Sequence, residues 1–436
     1  MKEGASSRTP LRSALAGLAL LLALPAAAQS TQEAVAFTAT ACPASLQAMA
    51  ECKVGQTANG AWLLVAMPHD WNQRLIVHTH GGPRLTAPRA DDSNEDLQRF
   101  AVMVRQGYAW IGTTYHRGGY GVRMAAADAD ESRRVFWAQW GRPQRTLLHG
   151  QSWGGNVAAK VAELYALDGD GHHNYDGVLI TNGVLFGGTH AYDFRADLRA
   201  VYQYYCHNHP AADEPQYPLW QGLPADAAMT RDDLRARVDA CTGLDLPAAR
   251  RSAAQAQRLQ DILAVTGVAE KQLVAHLAWG TFHFRDVVQK RLDGRNPFDN
   301  AGKVYSGSHD DAALNAGVER FSADPAAVAK LAYDADLSGL IVLPTVTVHA
   351  RHDPTVSWTA DAAYAATVQA AGRSDLLLQA VTDEDSHSRM QDATYLSELR
   401  VLEQWLDQGV RPAPAAFAET CAGLQGDAGS CRFITP

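Results

Sequence analysis

Two absences narrow the partners of this 436-residue chain. It contains no basic tract, and its formal net charge is −9, so nucleic acid and anionic membranes are poor partners. The apolar run at 14–24 is too short for a comfortable membrane span, and no stable span is expected after processing. Cysteine is scarce, at six residues. Their spacings do not resemble zinc sites and no histidine falls in register with them, so no metal and no cofactor are expected. No segment repeats another.

What is present begins with a leader. Lys2, Arg8 and Arg12 precede the apolar run, and Ala26-Ala27-Ala28 offers small residues for cleavage before Gln29. Residues 1–28 therefore read as a secretory signal peptide, and the destination as periplasmic or extracellular. The cysteines fall into three local pairs, Cys42 with Cys52, Cys206 with Cys241, and Cys421 with Cys431. Six cysteines allow 15 connectivities, and proximity favours this one. An oxidising compartment lets all three form as staples.

Short apolar strands alternate with helical stretches through the first half of the mature chain. Strands are expected at 61–67, 74–80, 108–115, 145–148 and 177–183, with helices at 94–106, 128–140 and 156–167. Residues 31–54 read as a peripheral segment closed by the first disulfide. From 190 to about 336 the pattern is mainly helical. The alternation resumes with a strand at 340–349, a helix at 358–371, a strand at 376–381 and a long last helix. There Leu396, Leu399, Leu402 and Leu406 share one face. The fold class is α/β, a mostly parallel sheet flanked by helices, with 29–188 and 339–436 as core. Residues 189–338 form a mainly helical insertion. Inserted between two core strands, it belongs over one end of the sheet, where ligands bind, and so suits a lid.

The chemistry centres on His149-Gly150-Gln151-Ser152-Trp153-Gly154-Gly155, which fits Gly-x-Ser-x-Gly between a strand and a helix. A tight turn there leaves no room for side chains beside the serine, hence Gly150 and Gly154. A serine hydroxyl needs a base and the base an orienting acid, in the chain order Ser, acid, His. Beyond His352 the chain holds one histidine, His387, on a loop after the last predicted strand. Asp353 follows an apolar strand, and Pro354 biases it toward an extended conformation. Asp361 falls in a predicted helix. Asp375, Asp383, Glu384 and Asp385 lie too near the last strand or the loop of His387. The catalytic set is thus Ser152, Asp353 and His387. The oxyanion hole needs two amides. Trp153 offers one, and His80-Gly81-Gly82-Pro83 the other, with Gly82 first and Gly81 second. Pro83 has no N–H, and His80 reads as structural.

These residues, in this order, resemble a secreted member of the α/β-hydrolase superfamily. The resemblance implies a Ser152–His387–Asp353 triad and an acyl-enzyme on Ser152 resolved by water. Two short stretches are also similar to proline-type aminopeptidases, which carry His-Gly-Gly-Pro-Gly and Gly-Gly-Ser-Trp-Gly. Here Arg84 replaces the last glycine of the first motif and Gln151 the second glycine of the other. The leading expectation is an exported carboxylic-ester hydrolase acting on small-molecule or polymeric esters. The alternatives are a serine peptidase or aminopeptidase and, from another class, a non-catalytic binding protein on this scaffold. A peptidase needs carboxylates to grip a substrate amine, and Asp193, Asp213, Glu214 and Asp286 are available.

Other features are weaker. Residues 168–176 faintly resemble a calcium loop, but Leu179 stands where the twelfth-position glutamate belongs, so a polar turn is expected. Residues 296–307 read as a connector between lid helices. Tyr202, Tyr204, Tyr205, Trp220 and Trp279 read as lid core.

Overall fold

The computed structural model describes residues 1, 4, 34–424 and 429–434. The expected signal peptide falls almost wholly outside them. From Val35 onward the chain is one compact unit.

Its centre is a ten-stranded sheet in the order β1-β2-β3-β5-β4-β6-β7-β8-β9-β10. The strands are β1 (Phe37–Thr40), β2 (Ala50–Gln56), β3 (Trp62–Pro68), β4 (Arg74–Thr79), β5 (Ala109–Thr113), β6 (Arg145–Gln151), β7 (Gly177–Thr181), β8 (Thr345–Ala350), β9 (Leu377–Thr382) and β10 (Phe433–Ile434). Strands β5, β4, β6, β7, β8 and β9 pair in parallel, and β1–β2–β3–β5 and β9–β10 pair antiparallel. Both faces are covered because successive apolar side chains point opposite ways. Leu63, Val65, Leu75 and Val77 join one apolar cluster, while Leu64, Ala66 and Ile76 join the other.

The first face carries α3 (Val122–Trp140), α4 (Trp153–Leu164) and α11 (Thr359–Ala370). The second carries α1 (Asn94–Arg99), α2 (Ala101–Arg105) and α12 (Asp392–Gln408), in which Leu396, Leu399 and Leu402 are buried. A last helix, α13 (Ala416–Ala422), packs on α12. Between β7 and β8 lie α5 (Asp193–Cys206), α6 (Arg231–Thr242), α7 (Ala253–Thr266), α8 (Leu273–Ala278), α9 (Asp311–Gly317) and α10 (Pro325–Ala335). The last of these packs on α3 and α4, where Asn156 Nδ2 donates to Ala335 O at 3.1 Å. It is the crossover helix that returns the chain to β8. This is the α/β-hydrolase fold with a large helical insertion.

Four details depart from the sequence expectations. Residues 31–54 hold β1 and most of β2, so the segment extends the sheet by an antiparallel hairpin. The expected helix at 94–106 breaks at Phe100, whose side chain is fully buried. Helix α3 begins six residues earlier than the 128 expected, at Val122, whose amide donates to Asp334 at 2.9 Å. The strand expected from 340 starts only at Thr345, directly after Pro344, which has no N–H for a ladder.

Three disulfides are present: Cys42–Cys52, Cys206–Cys241 and Cys421–Cys431. The first joins β2 to the loop before it, the second joins α5 to α6, and the third joins α13 to the stretch before β10. No helix among the described residues is long and apolar enough to cross a membrane.

Candidate active site

Strand β6 runs near the middle of the sheet and turns directly into α4 at Ser152. The turn holds Ser152 at φ 59° and ψ −128°, a left-handed conformation that costs a non-glycine residue energy. Its amide donates to Thr181 O at 3.1 Å, and its carbonyl accepts from Val184 and Gly155 at 2.9 Å. The flanking glycines are explained by contact. A Cβ on Gly150 would stand 2.3 Å from Gly154 O, and one on Gly154 would stand 2.1 Å from Thr79 O.

Three side chains far apart in sequence meet at this turn. His387 Nε2 lies 2.7 Å from Ser152 Oγ, and His387 Nδ1 lies 2.7 Å from Asp353 Oδ2. The second oxygen of Asp353 accepts from the amides of Thr355 (2.7 Å) and Val356 (3.1 Å), as its position before Pro354 allows. Burial pushes the Asp353 carboxyl up, but the facing His349 and His387 rings outweigh it and hold the group well below the usual carboxylate range.

The loop bearing His387 is clamped from the sheet. Gln151 Nε2 donates to His387 O at 2.9 Å, and Asn182 Nδ2 donates to the same carbonyl at 2.8 Å. Asn182 sits just after β7 and also accepts from the Ala350 amide at the end of β8 (2.7 Å). These two amide side chains tie together the three segments that carry Ser152, Asp353 and His387. Sequence reasoning treated Gln151 only as a departure from a motif and did not single out Asn182. A polar residue ending an apolar strand was the available signal.

A second histidine stands behind the acid. His349, fully buried on β8, places Nδ1 2.5 Å from Asp361 Oδ2 and Nε2 3.1 Å from Val356 O. Both nitrogens face oxygen acceptors, an arrangement that suits the doubly protonated, positively charged ring. Burial alone would lower its pKa, but Asp361 and Asp353 outweigh that and raise it to about 10. Asp361 is held by three donors, since Thr347 Oγ1 and Gln379 Nε2 also bind it. Burial pushes His80 down to about 4, and it lowers His78 and His149, whose Nδ1 atoms lie 2.9 Å apart.

The side chains meet in a cavity of about 320 Å³. Gly81, Gly82 and Trp153 line it together with Ser152 and His387. Trp153 is the first residue of α4, so its amide has no partner within the helix. Gly81 packs against the elbow, where a Cβ would approach Ser152 Cβ to 3.1 Å, and Gly82 has φ +68° with open space beside it. The insertion contributes Tyr192, Arg195 and Trp279 to the same walls. A larger cavity, about 870 Å³, adjoins it, with Val184, Arg195, Thr355 and Val356 lining both.

Of the four carboxylates weighed for a substrate amine, Asp193 borders the larger cavity. Asp286 is buried and takes the Tyr120 amide at 2.7 Å, and Glu214 is bound by Arg237. Trp279, read from sequence as lid core, faces the triad cavity, while Tyr202 is fully buried. In the 168–176 turn, Asp168 Oδ1 accepts from the amides of Asp170 (2.9 Å) and His172 (2.8 Å).

No family model matches the chain. Among curated proteins, an o-phthalyl amidase of Xanthobacter agilis is 25% identical over 122 residues, 27% of this chain and 25% of that protein. The chain thus matches about a quarter of that relative's length. Among solved structures, Candida antarctica lipase A in its closed state is similar with a TM-score of 0.44 at 14% identity, covering 92% of this chain and 94% of that one. A rice cell wall degrading esterase of Xanthomonas oryzae gives 0.42 at 14% identity over 87% and 98%. An esterase of Aspergillus oryzae gives 0.41 at 13% identity over 83% and 80%.

Proposed function

We propose that this chain is an exported serine hydrolase that cleaves carboxylic esters through Ser152, His387 and Asp353. The observation that carries the reading is one imidazole bridging both partners, 2.7 Å from Ser152 Oγ and 2.7 Å from Asp353 Oδ2. His387 removes the Ser152 proton as the oxygen attacks the carbonyl carbon, and Asp353 holds the ring with Nδ1 protonated. The amides of Trp153 and Gly82, with Gly81 as second choice, receive the oxyanion. His387 then protonates the leaving alcohol, and water repeats the steps to release the acid. Residues 189–338 act as the lid that shapes access, and 29–188 with 339–436 form the core that holds the reacting groups. The leader and three disulfides support delivery to an oxidising compartment.

A second reading, amide or peptide hydrolysis on the same centre, is favoured by the segment shared with an amidase and by Asp193 at the adjoining cavity. Wild type and Ser152→Ala are to be assayed together on aliphatic and aromatic esters, a polymeric ester and aminoacyl anilides. Loss of phosphonate labelling and a fall in ester turnover of roughly 10³-fold or more in Ser152→Ala are expected. Unchanged ester turnover in that variant rejects the mechanism, and anilide rates rivalling ester rates select the second reading.

A further inference from the structure

Arg195, on α5, is only 5% exposed, and no carboxylate is paired with it among the described residues. Its Nε donates to His276 Nδ1 at 3.3 Å, and His276 in turn places Nε2 3.1 Å from Pro354 O. The guanidinium plane is wedged among aromatic rings, its carbon 4.6 Å from the Phe194 centroid and 4.7 Å from that of Trp279. These contacts fix its position and neutralise nothing. Burial lowers its pKa to about 10, with the Tyr192 phenol as the single opposing influence, so it stays charged at neutral pH.

A buried, unpaired cation is expensive and calls for a counter-ion. The other charges of the triad cavity already have theirs. Arg84 lies 3.6 Å from Asp96, and Arg99 binds Asp96 (3.2 Å) and Glu95. In the larger cavity, Asp193 stands 3.5 Å from His190 and Asp197 binds Lys303 at 2.8 Å. Lys271 and Arg351 line only the larger cavity; among the described residues Arg195 is the one cation that borders both cavities without a carboxylate partner, and with Nε occupied its two terminal nitrogens make no hydrogen bond to those residues. That fork matches the two oxygens of a carboxylate.

We propose that Arg195 is a carboxylate subsite, so that the preferred substrates are esters bearing a free carboxylate, such as half-esters of dicarboxylic acids. The inference takes Ser152 as the reacting centre proposed above. Bound this way, the substrate spans the junction of the two cavities, with its ester at Ser152 and its anion at Arg195. Hydrolysis adds water across the ester bond and releases a dicarboxylate and an alcohol.

The test uses binding and turnover separately. Calorimetric titration of the Ser152→Ala protein compares monomethyl glutarate with neutral dimethyl glutarate. Binding of the monoanion at least about tenfold tighter is expected, reduced by adding Arg195→Gln and partly retained with Arg195→Lys. Equal binding of the two probes in the protein that keeps Arg195 overturns the proposal, whether or not the substituted proteins fold. In turnover, the ratio of kcat/KM for para-nitrophenyl hydrogen glutarate over para-nitrophenyl pentanoate is expected to fall roughly 10- to 100-fold in Arg195→Gln. A ratio that does not change overturns the proposal. Selective binding without any ester turnover keeps the subsite and removes the esterase reading. Turnover without selectivity does the reverse.

Discussion

His349 Nε2 lies 3.6 Å from Asp353 Oδ2, the same oxygen that faces His387 Nδ1 at 2.7 Å. Two imidazoles therefore draw on one carboxylate oxygen, and the inner one carries a positive charge that Asp361 shares. Replacing His349 by Gln removes that charge. Asp353 then loses one of the two rings that hold its carboxyl low, and the acidic limb of the kcat/KM profile is expected to move to higher pH. A profile superimposable on wild type contradicts the coupling.

The same charge makes a prediction about stability. The folded pKa of His349, about 10, lies above the ordinary 6.5, so its contribution is complete below about pH 6.5 and is lost as pH rises through about 10. The gap in melting temperature between wild type and His349→Gln should be widest near pH 6 and shrink toward about pH 10, in melts followed by circular dichroism. A constant gap across that range contradicts it.

Asp353→Asn preserves the side chain's shape and removes its charge. The amide no longer holds His387 in the tautomer with Nδ1 protonated, and kcat is expected to fall about 10⁴-fold. Burst labelling by a phosphonate should slow by a comparable factor while Ser152 remains in place.

Gln151→Ala and Asn182→Ala each free the His387 carbonyl from one donor. Loosening the loop misplaces the base without touching substrate, so kcat should drop roughly 10- to 100-fold with little change in KM. The double variant should lose more than either single one. A fall confined to KM would assign these residues to binding instead.

Gly154→Ala forces a methyl to within 2.1 Å of the Thr79 carbonyl oxygen. Backbone must shift at the centre of the sheet, and a loss of at least roughly 2 kcal/mol in urea unfolding is expected. Gly82→Ala, with open space on that side, tests the strained backbone alone.

Much of the core could be read ahead of the structure because its signals are local. Leu63 to Ala66 and Leu75 to Val77 alternate between the two apolar clusters, and the elbow carries its glycines within seven residues. Ser152, Asp353 and His387 follow a fixed chain order, so a lone histidine late in the chain could be matched to its partners. The first hairpin escaped because β1 has only four residues, of which the central two are exposed. His349 escaped because its partner Asp361 lies on the following helix, and nothing in the spacing says that the two side chains converge. Arg195 looked like any charged residue on an amphipathic helix. Its proposed role rests on the lack of a paired carboxylate among the described residues, and pairing across the fold is invisible in one dimension.

The three disulfides lie on the β2 loop, between α5 and α6, and at the C-terminal tail, all outside the segments that carry Ser152, Asp353 and His387. Of the three, Cys206–Cys241 is the one that anchors a helix lining the triad cavity, because α5 also carries Arg195. A thiol reductant is therefore expected to reach the proposed Arg195 subsite through that bond and not through the other two, which lie at the first hairpin and the C-terminal tail.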